Sequence, residues 1–367
     1  MLVVNVGSSS LKLAVLENDQ QVAATTVERW HGEDDIEPIR SFVEDLDVEA
    51  IGHRIVHGGP RLAESVRIDD DVLDYLDSIE DLAPLHNPRA VAGIRSVRQL
   101  LPTVPEVACF DTTFHTQLPS AARTYALPKA WNERWHLRRY GFHGLSHAYA
   151  VRRGAELIGR DLADLRVVSC HLGAGASLAA VRDGRCVDTT MGFTPVEGLV
   201  MATRSGSVDP GLLLWLLRHT DQTPDSLADA LEHESGLKGL SGTSGDLRDV
   251  LAARAAGNED AALAFEVFIH RLRQEIGAMT VSAGGLDLLV LTGGIGEHQP
   301  EVRSLAARGV GHLGASINET VNAQTTSDRD ISTRDARVRT VVVTASEAVE
   351  IARETRRVQG AVPPPPT

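Results

Sequence analysis

Residues 2–16, LVVNVGSSSLKLAVL, set two strand-like apolar runs on either side of a turn built from Asn, Gly and three serines. The arrangement returns near residue 170. There RVVSCHL (166–172) runs into GAGAS and then LAAVRDGRCV, with Asp183-Gly184 as a hairpin turn. A strand–Gly/Ser turn–strand unit met twice in one chain, with helical patterns between, restricts the fold to α/β and hints at a duplicated domain. A third apolar run, LDLLVLT (286–292), leads into the glycines of GGIGEH and then a helical PEVRSLAARG. Apolar residues recurring at three and four mark helices at 89–100, 146–159, 210–218 and 259–283.

The chain of 367 residues has room for two domains. Its formal net charge of −14, with no offsetting basic stripe, argues against a general nucleic-acid binder. A few local cations can still define a pocket for an anionic small molecule. Cys109, Cys170 and Cys186 form no CxxC pair and are odd in number, so neither a disulfide framework nor a zinc site is expected and a reducing cytosol is favoured. No apolar run approaches the roughly 18 residues of a membrane span. The N-terminus lacks a charged region followed by an apolar signal core, so export is not expected. The tail AVPPPPT is expected to form neither helix nor central strand.

Each Gly/Ser turn has two readings. Small residues let backbone N–H groups approach a phosphate, and Lys12, two residues past the serines, has the reach to join them. The same residues also suit a polar hairpin with a surface lysine. Gly173 and Gly175 of HLGAGAS serve either phosphate approach or turn geometry. TGGIGE has the form of a strand-to-helix nucleotide loop. Three such loops, each behind an apolar strand, point together to nucleotide phosphates more than any one does. None is a Walker loop or GxGxxG.

Cations cluster in GHRIVHGG (His53, Arg54, His57), RYGFHGLSH (His143, His147) and MATRSGSVDP (Arg204). Arginine suits carboxylate and phosphate because its planar fork makes paired hydrogen bonds. Among the acids, Asp111 follows the strand-like VPEVACF, where a metal-linked or base role and a turn cap are both open. Asp246 and Arg248 read as a helix N-cap region, and Glu347 begins the last helix, where a plain capping role also fits. Phosphoryl transfer matches this inventory, since its transition state needs mainly positioning and charge neutralisation. No GxSxG elbow or HExxH spacing supports a triad hydrolase or a zinc hydrolase.

In order, NVGSSSLK, GHRIVHGG, LAPLHNP, FDTTFHTQLP, RYGFHGLSH, HLGAGAS, DTTMGFTPVEGLVMATRSGSVDP, SGLKGLSGTSGDLR, LTGGIGE and IARET run through nearly the whole chain. With these motifs it resembles the acetate/propionate kinase family of the actin-like sugar kinase/Hsp70 superfamily. The resemblance implies duplicated ribonuclease-H-like (actin-like ATPase) domains with an interdomain cleft. One domain would be 1–112 plus 349–367, the other 113–348. It implies a cytoplasmic homodimer that transfers the γ-phosphoryl group of ATP reversibly to acetate, giving acetyl phosphate and ADP, with Mg²⁺ or Mn²⁺, and no nucleic-acid or membrane partner.

The resemblance also implies roles. Asn5 and Glu347 would meet the metal; Ser8, Ser10 and Lys12 would face the phosphates. Arg54 and Arg204 would hold the carboxylate and the moving phosphoryl group, which His143 would hydrogen-bond. Asp111 would position or deprotonate the carboxyl nucleophile, or act through the metal; acetate is already ionised and needs little base catalysis, which favours the orienting role. Val56, Leu85, Phe142 and Pro195 would line the acyl pocket. His171, Leu172, Gly173, Ala174, Gly175, Asp246, Leu247, Arg248, Gly294, Ile295, Gly296, Glu297 and His298 would form the nucleotide side.

Three positions depart from the family pattern: Ala174 and His298 stand where Asn is usual, and Ala202 where Gly is usual. All three fall on the nucleotide side. Glu347 lies in TASEA instead of the usual T-[N/D]-E-E. Three alternatives stay open at this point: a pyrophosphate-dependent acyl kinase, a propionate-preferring one, and a catalytically weak nucleotide-binding relative.

Overall fold

The computed structural model describes residues 1–7 and 10–360. Met1–Thr116, Phe142–Tyr149 and the segment from Ser346 pack as one compact unit, and Gln117–Gly141 with Ala150–Ala345 as another.

The first unit holds β1 (Leu2–Val6), β2 (Ser10–Glu17), β3 (Gln20–Glu28), β4 (Ile51–Ile55), β5 (Val66–Arg67) and β6 (Glu106–Phe110). They form one sheet in the order β3-β2-β1-β4-β6-β5. β1, β2 and β3 run as an antiparallel meander, β1, β4 and β6 are parallel, and β5 returns antiparallel on β6. The second unit holds β7 (Arg166–Leu172), β8 (Ala176–Arg182), β9 (Arg185–Thr189), β10 (Leu288–Thr292), β11 (Arg329–Asp330) and β12 (Arg339–Val342). Its sheet reads β9-β8-β7-β10-β12-β11, with the same pattern of parallel and antiparallel pairs. Strand for strand the two units repeat, and the α/β fold is the duplicated ribonuclease-H-like one expected. Asp183 (φ 54°) and Gly184 (φ 73°) both take left-handed conformations at the β8–β9 hairpin, as a two-residue turn requires.

Period-two alternation decides what each face of the first sheet carries. Leu2, Val4, Val6, Leu11 and Leu13 point into a core with Trp30, Ile39 and Val97. Val3, Ala14, Leu16, Val107 and Cys109 point the other way, onto Ile351 and Ala352 of the helix Glu347–Val358. The close fit on that side depends on Gly52, where a Cβ would stand 2.4 Å from Thr355 Oγ1 and 2.6 Å from Ile351 Cγ2. Asn5, Lys12, Arg54 and Asp111 share the alternation of this second face. The sheet thus turns one row of polar residues toward the helix that Glu347 opens.

The helices at Asn87–Leu100, Gly144–Leu157, Pro210–His219 and Glu259–Ala283 lie where the apolar spacing puts them. GGIGEH differs. It is a short helix, Gly293–His298, and not an open loop. Thr292 ends β10 in extended conformation and Gly293 turns at φ 77°, where a Cβ would crowd Leu172 at 2.7 Å. A helix then starts at once and a second, Pro300–Gly309, follows it. Among the described residues no helix is long and apolar enough to cross a membrane.

Candidate active site

In the first unit four of the expected residues meet. Asn5 pairs with Arg54 in the parallel β1–β4 register and with Lys12 in the antiparallel β1–β2 register. Arg54 Nη1 donates to Asn5 Oδ1 at 3.2 Å. Its Nε donates to Asp111 Oδ1 at 3.1 Å and its Nη2 to Asp111 Oδ2 at 2.6 Å. Glu347 Oε2 accepts from Asn5 Nδ2 at 3.1 Å and lies 3.6 Å from Arg54 Nε. Burial alone would lower the Arg54 pKa, but the charges of Asp111 and Glu347 and the bonds to Asp111 outweigh it and raise it. Burial pushes the Asp111 carboxyl up against the pull of Arg54.

His143 takes φ 57°, an uncommon backbone state for a residue with a side chain. Immediately after it, Gly144 N–H donates to the Asp111 carbonyl at 2.8 Å, so the His143 turn is bound to the end of β6. Phe142 is buried beside it and its carbonyl meets His115 Nε2 at 3.0 Å. The His57 and Phe142 rings meet in a T-shaped arrangement with their centroids 5.6 Å apart. Val56 is buried and Leu85 exposed. His53, one residue before Arg54, faces the other side of the sheet. There it bonds Glu106, which Arg98 also holds, at 3.1 Å and 2.8 Å. Lys12 is exposed on β2, Ser10 begins that strand, and Ser8 lies outside the described residues.

The second unit carries the remaining residues. A cavity of about 310 Å³ is lined by Gly173, Ala174, Asp246, Leu247, Arg248, Gly294, Ile295 and His298. Ala202, Gly245 and Gln299 complete the lining. Asp246 caps the helix Leu247–Ala255 by accepting from Arg248 N–H at 2.8 Å. The Arg248 guanidinium closes on the same carboxylate at 2.6 Å, and these hydrogen bonds pull the Asp246 pKa down to about 2. Arg204 donates to the Pro195 carbonyl at 3.3 Å and lies 3.9 Å from Glu232. Burial lowers the Arg204 pKa, with Glu232 opposing.

His171, Leu172, Gly175, Gly296 and Glu297 are not among the cavity-lining residues. Glu297 Oε1 accepts from the Ala345 N–H at 2.9 Å instead. Sequence reasoning missed Gly245 and Gln299, although each directly adjoins a residue it named. It also missed Arg303, buried and donating to the carbonyls of Gly296 at 3.0 Å and Glu297 at 2.6 Å. The signal was an arginine on the apolar stripe of PEVRSLAARG.

The oxygens of Asn5, Asp111 and Glu347 are hard donors of the kind that suit Mg²⁺. Among the described residues no group of three His, Cys, Asp or Glu is arranged to hold a metal unaided. One oxygen from each of two carboxylates and one from an amide would fill half of an octahedral shell and leave the other half to substrate oxygens and water, which is how Mg²⁺ is usually held beside phosphates.

Comparison with known proteins identifies the family. The model of the Acetokinase family matches residues 34–353. An acetate kinase of Synechococcus sp. (strain JA-2-3B'a(2-13)) is 50% identical over 332 residues, 90% of this chain and 81% of that protein. The crystal structure of Porphyromonas gingivalis acetate kinase is similar at a TM-score of 0.92 and 34% identity, covering 98% of this chain and 99% of that one. A propionate kinase from Francisella tularensis subsp. tularensis SCHU S4 is similar at 0.89 and 34%, covering 97% and 99%. With a duplicated fold, a buried Arg54–Asp111 pair beside Asn5 and Glu347, and matches of this extent, the chain belongs to the acetokinase family.

Proposed function

We propose that this chain transfers the γ-phosphoryl group of ATP to acetate, reversibly, forming acetyl phosphate and ADP. The observation that carries the reading is Arg54, a cation held by two buried or half-buried carboxylates on a sheet face that also bears Asn5 and Lys12. A carboxylate oxygen of acetate attacks the γ-phosphorus, and the bond from that phosphorus to the β–γ bridging oxygen breaks. ADP leaves with the bond's electron pair, and no proton need be removed from ionised acetate.

In this reading Arg54 and Arg204 neutralise the carboxylate and the phosphoryl oxygens, and His143 donates a hydrogen bond to the same group. Asp111 orients Arg54, because both its oxygens are engaged there. Mg²⁺, or Mn²⁺, when bound would supply charge neutralisation at the phosphates. Asn5 and Glu347 are the residues that would hold it. Lys12, Ser8 and Ser10 are assigned to the phosphate side. Val56, Leu85, Phe142 and Pro195 are assigned to the acyl group. The cavity lined by Ala174, Asp246, Arg248 and Ile295 is assigned to the adenosine.

A hydroxylamine-trapping assay of acetyl phosphate, run with ATP, GTP or pyrophosphate and with acetate, propionate or butyrate, tests the reading. ATP with acetate or propionate is the expected pair. Product from pyrophosphate alone would change the donor and leave the acid assignment standing. Equal rates with acetate and butyrate would show a deeper pocket, since each CH₂ adds about 0.8 kcal/mol only where it fits.

We further propose a cytoplasmic homodimer. Three buried thiols without a disulfide support the compartment. The helix Pro210–His219 supports the dimer: none of its residues is buried, and Leu212, Leu214 and Trp215 are exposed. Sedimentation of wild type as a dimer and of Trp215→Glu as a monomer is the expected result.

A further inference from the structure

We propose that Asn87 and Arg89, at the start of the helix Asn87–Leu100, are positioning residues that set the two loops of the first unit's acid and phosphate site. The inference rests on the kinase reading above.

Asn87 is fully buried. Its Oδ1 accepts from the His57 N–H at 3.2 Å and its Nδ2 donates to the His57 carbonyl at 3.0 Å. One side-chain amide thereby takes both main-chain groups of a residue, as a neighbouring strand would. The need for it is local. β4 ends at Ile55, and the backbone of His57 still requires partners in a buried place. His57 follows Val56 in the chain, receives the Gly59 N–H on its Nδ1 at 2.8 Å, and touches Phe142. Asn87 thus fixes the residue that joins two members of the proposed acyl pocket.

Arg89 acts on the other loop. Its Nε donates to the Gly7 carbonyl at 3.3 Å and its Nη2 to the Trp30 carbonyl at 2.5 Å, with the guanidinium 5.8 Å from the Trp30 ring centre. Gly7 is two residues past Asn5, and its N–H closes the β1–β2 turn on the Ser10 carbonyl at 2.8 Å.

The helix start sacrifices its own stability for these contacts. It has no side-chain cap and no acid in its first turn, and it carries a cation at the end where the dipole disfavours one. Pro88, in the first turn, has the backbone angle of a helix start and lacks only an N–H that would have no partner within the helix. A local rule broken at a well-packed position is the mark of a positioning role.

The test is the split of kinetic constants in purified Asn87→Ala and Arg89→Met, with Asn87→Gln and Arg89→Lys as milder variants if either fails to fold. Losing two hydrogen bonds behind the acid pocket should raise the KM for acetate about tenfold in Asn87→Ala, with the KM for Mg·ATP within about twofold. Arg89→Met should do the reverse, and Arg89→Lys should recover part of the loss. Folded variants with lower melting temperatures and both KM values unmoved would overturn the inference, as would variants in which both constants shift alike. Wild type inactive toward acetate with every donor would instead sink the kinase reading itself.

Discussion

Arg54 grips Asp111 at both carboxylate oxygens, and the acid is only 1% exposed. The pair is therefore a structural unit as well as a part of the proposed site. Breaking a buried pair from one side leaves a charge without compensation, at a cost of about 3 kcal/mol. Arg54→Ala should lower the melting temperature as well as lowering kcat/KM by at least about a hundredfold. Adding Asp111→Asn should recover most of the stability and none of the activity. A single variant that keeps near-normal turnover would remove Arg54 from the site.

Arg204 makes looser contacts, 3.3 Å to the Pro195 carbonyl and 3.9 Å to Glu232. Arg204→Ala should lose about a hundredfold in kcat/KM with little change in melting temperature, because it strands no buried acid. A parallel thermal melt and progress curve decide it.

Metal dependence is expected if the oxygens of Asn5 and Glu347 hold Mg²⁺ as proposed. Chelation should abolish turnover, and added Mg²⁺ or Mn²⁺ should restore it. Glu347→Gln should raise the Mg²⁺ concentration needed for half-maximal rate. If that titration matches wild type, Glu347 is a helix-start residue and no more.

Glu106 provides a pH prediction remote from the chemistry. Burial would raise its pKa, but His53 and Arg98 bring it below the ordinary carboxylate value. Its contribution is therefore present above about pH 4.3 and is lost as pH falls through the lowered folded-state value. Urea unfolding of Glu106→Gln should show lower stability than wild type at pH 7. The gap should narrow in acid, and a gap independent of pH would refute the linkage.

Ala174 and His298, the two positions where the resemblance leads one to expect an amide, both line the cavity in the second unit. Restoring an amide in Ala174→Asn or His298→Asn should lower the KM for ATP roughly two- to tenfold, the worth of one hydrogen bond. Unchanged ATP constants in both variants would place the base elsewhere.

The duplicated α/β architecture, its strand–turn–strand units and its long helices were legible in the sequence, because period-two and period-3.6 patterns are local. The site was legible only in part. Arg54, Asp111, His143 and Arg204 stood out as charged or ring-bearing residues within the motifs GHRIVHGG, FDTTFHTQLP, RYGFHGLSH and MATRSGSVDP. Their neighbours in space did not. That Asn5, Arg54, Asp111 and Glu347 form one hydrogen-bonded group, while His53 beside Arg54 serves Glu106 on the opposite face, follows from strand register and face.

GGIGEH shows the same division. Its glycines announced a turn, but the short helix depends on Gly293 meeting Leu172 of a different strand. The roles of Asn87 and Arg89 could not be read from the sequence, although Asn87 lies in LAPLHNP, since their partners, His57, Gly7 and Trp30, lie 30 to 82 positions away along the chain. Local alternation of apolar and polar residues determined the elements from sequence alone. Which polar groups meet was decided by the tertiary structure, because a buried donor or acceptor takes whatever partner the packing of distant segments brings within about 3 Å.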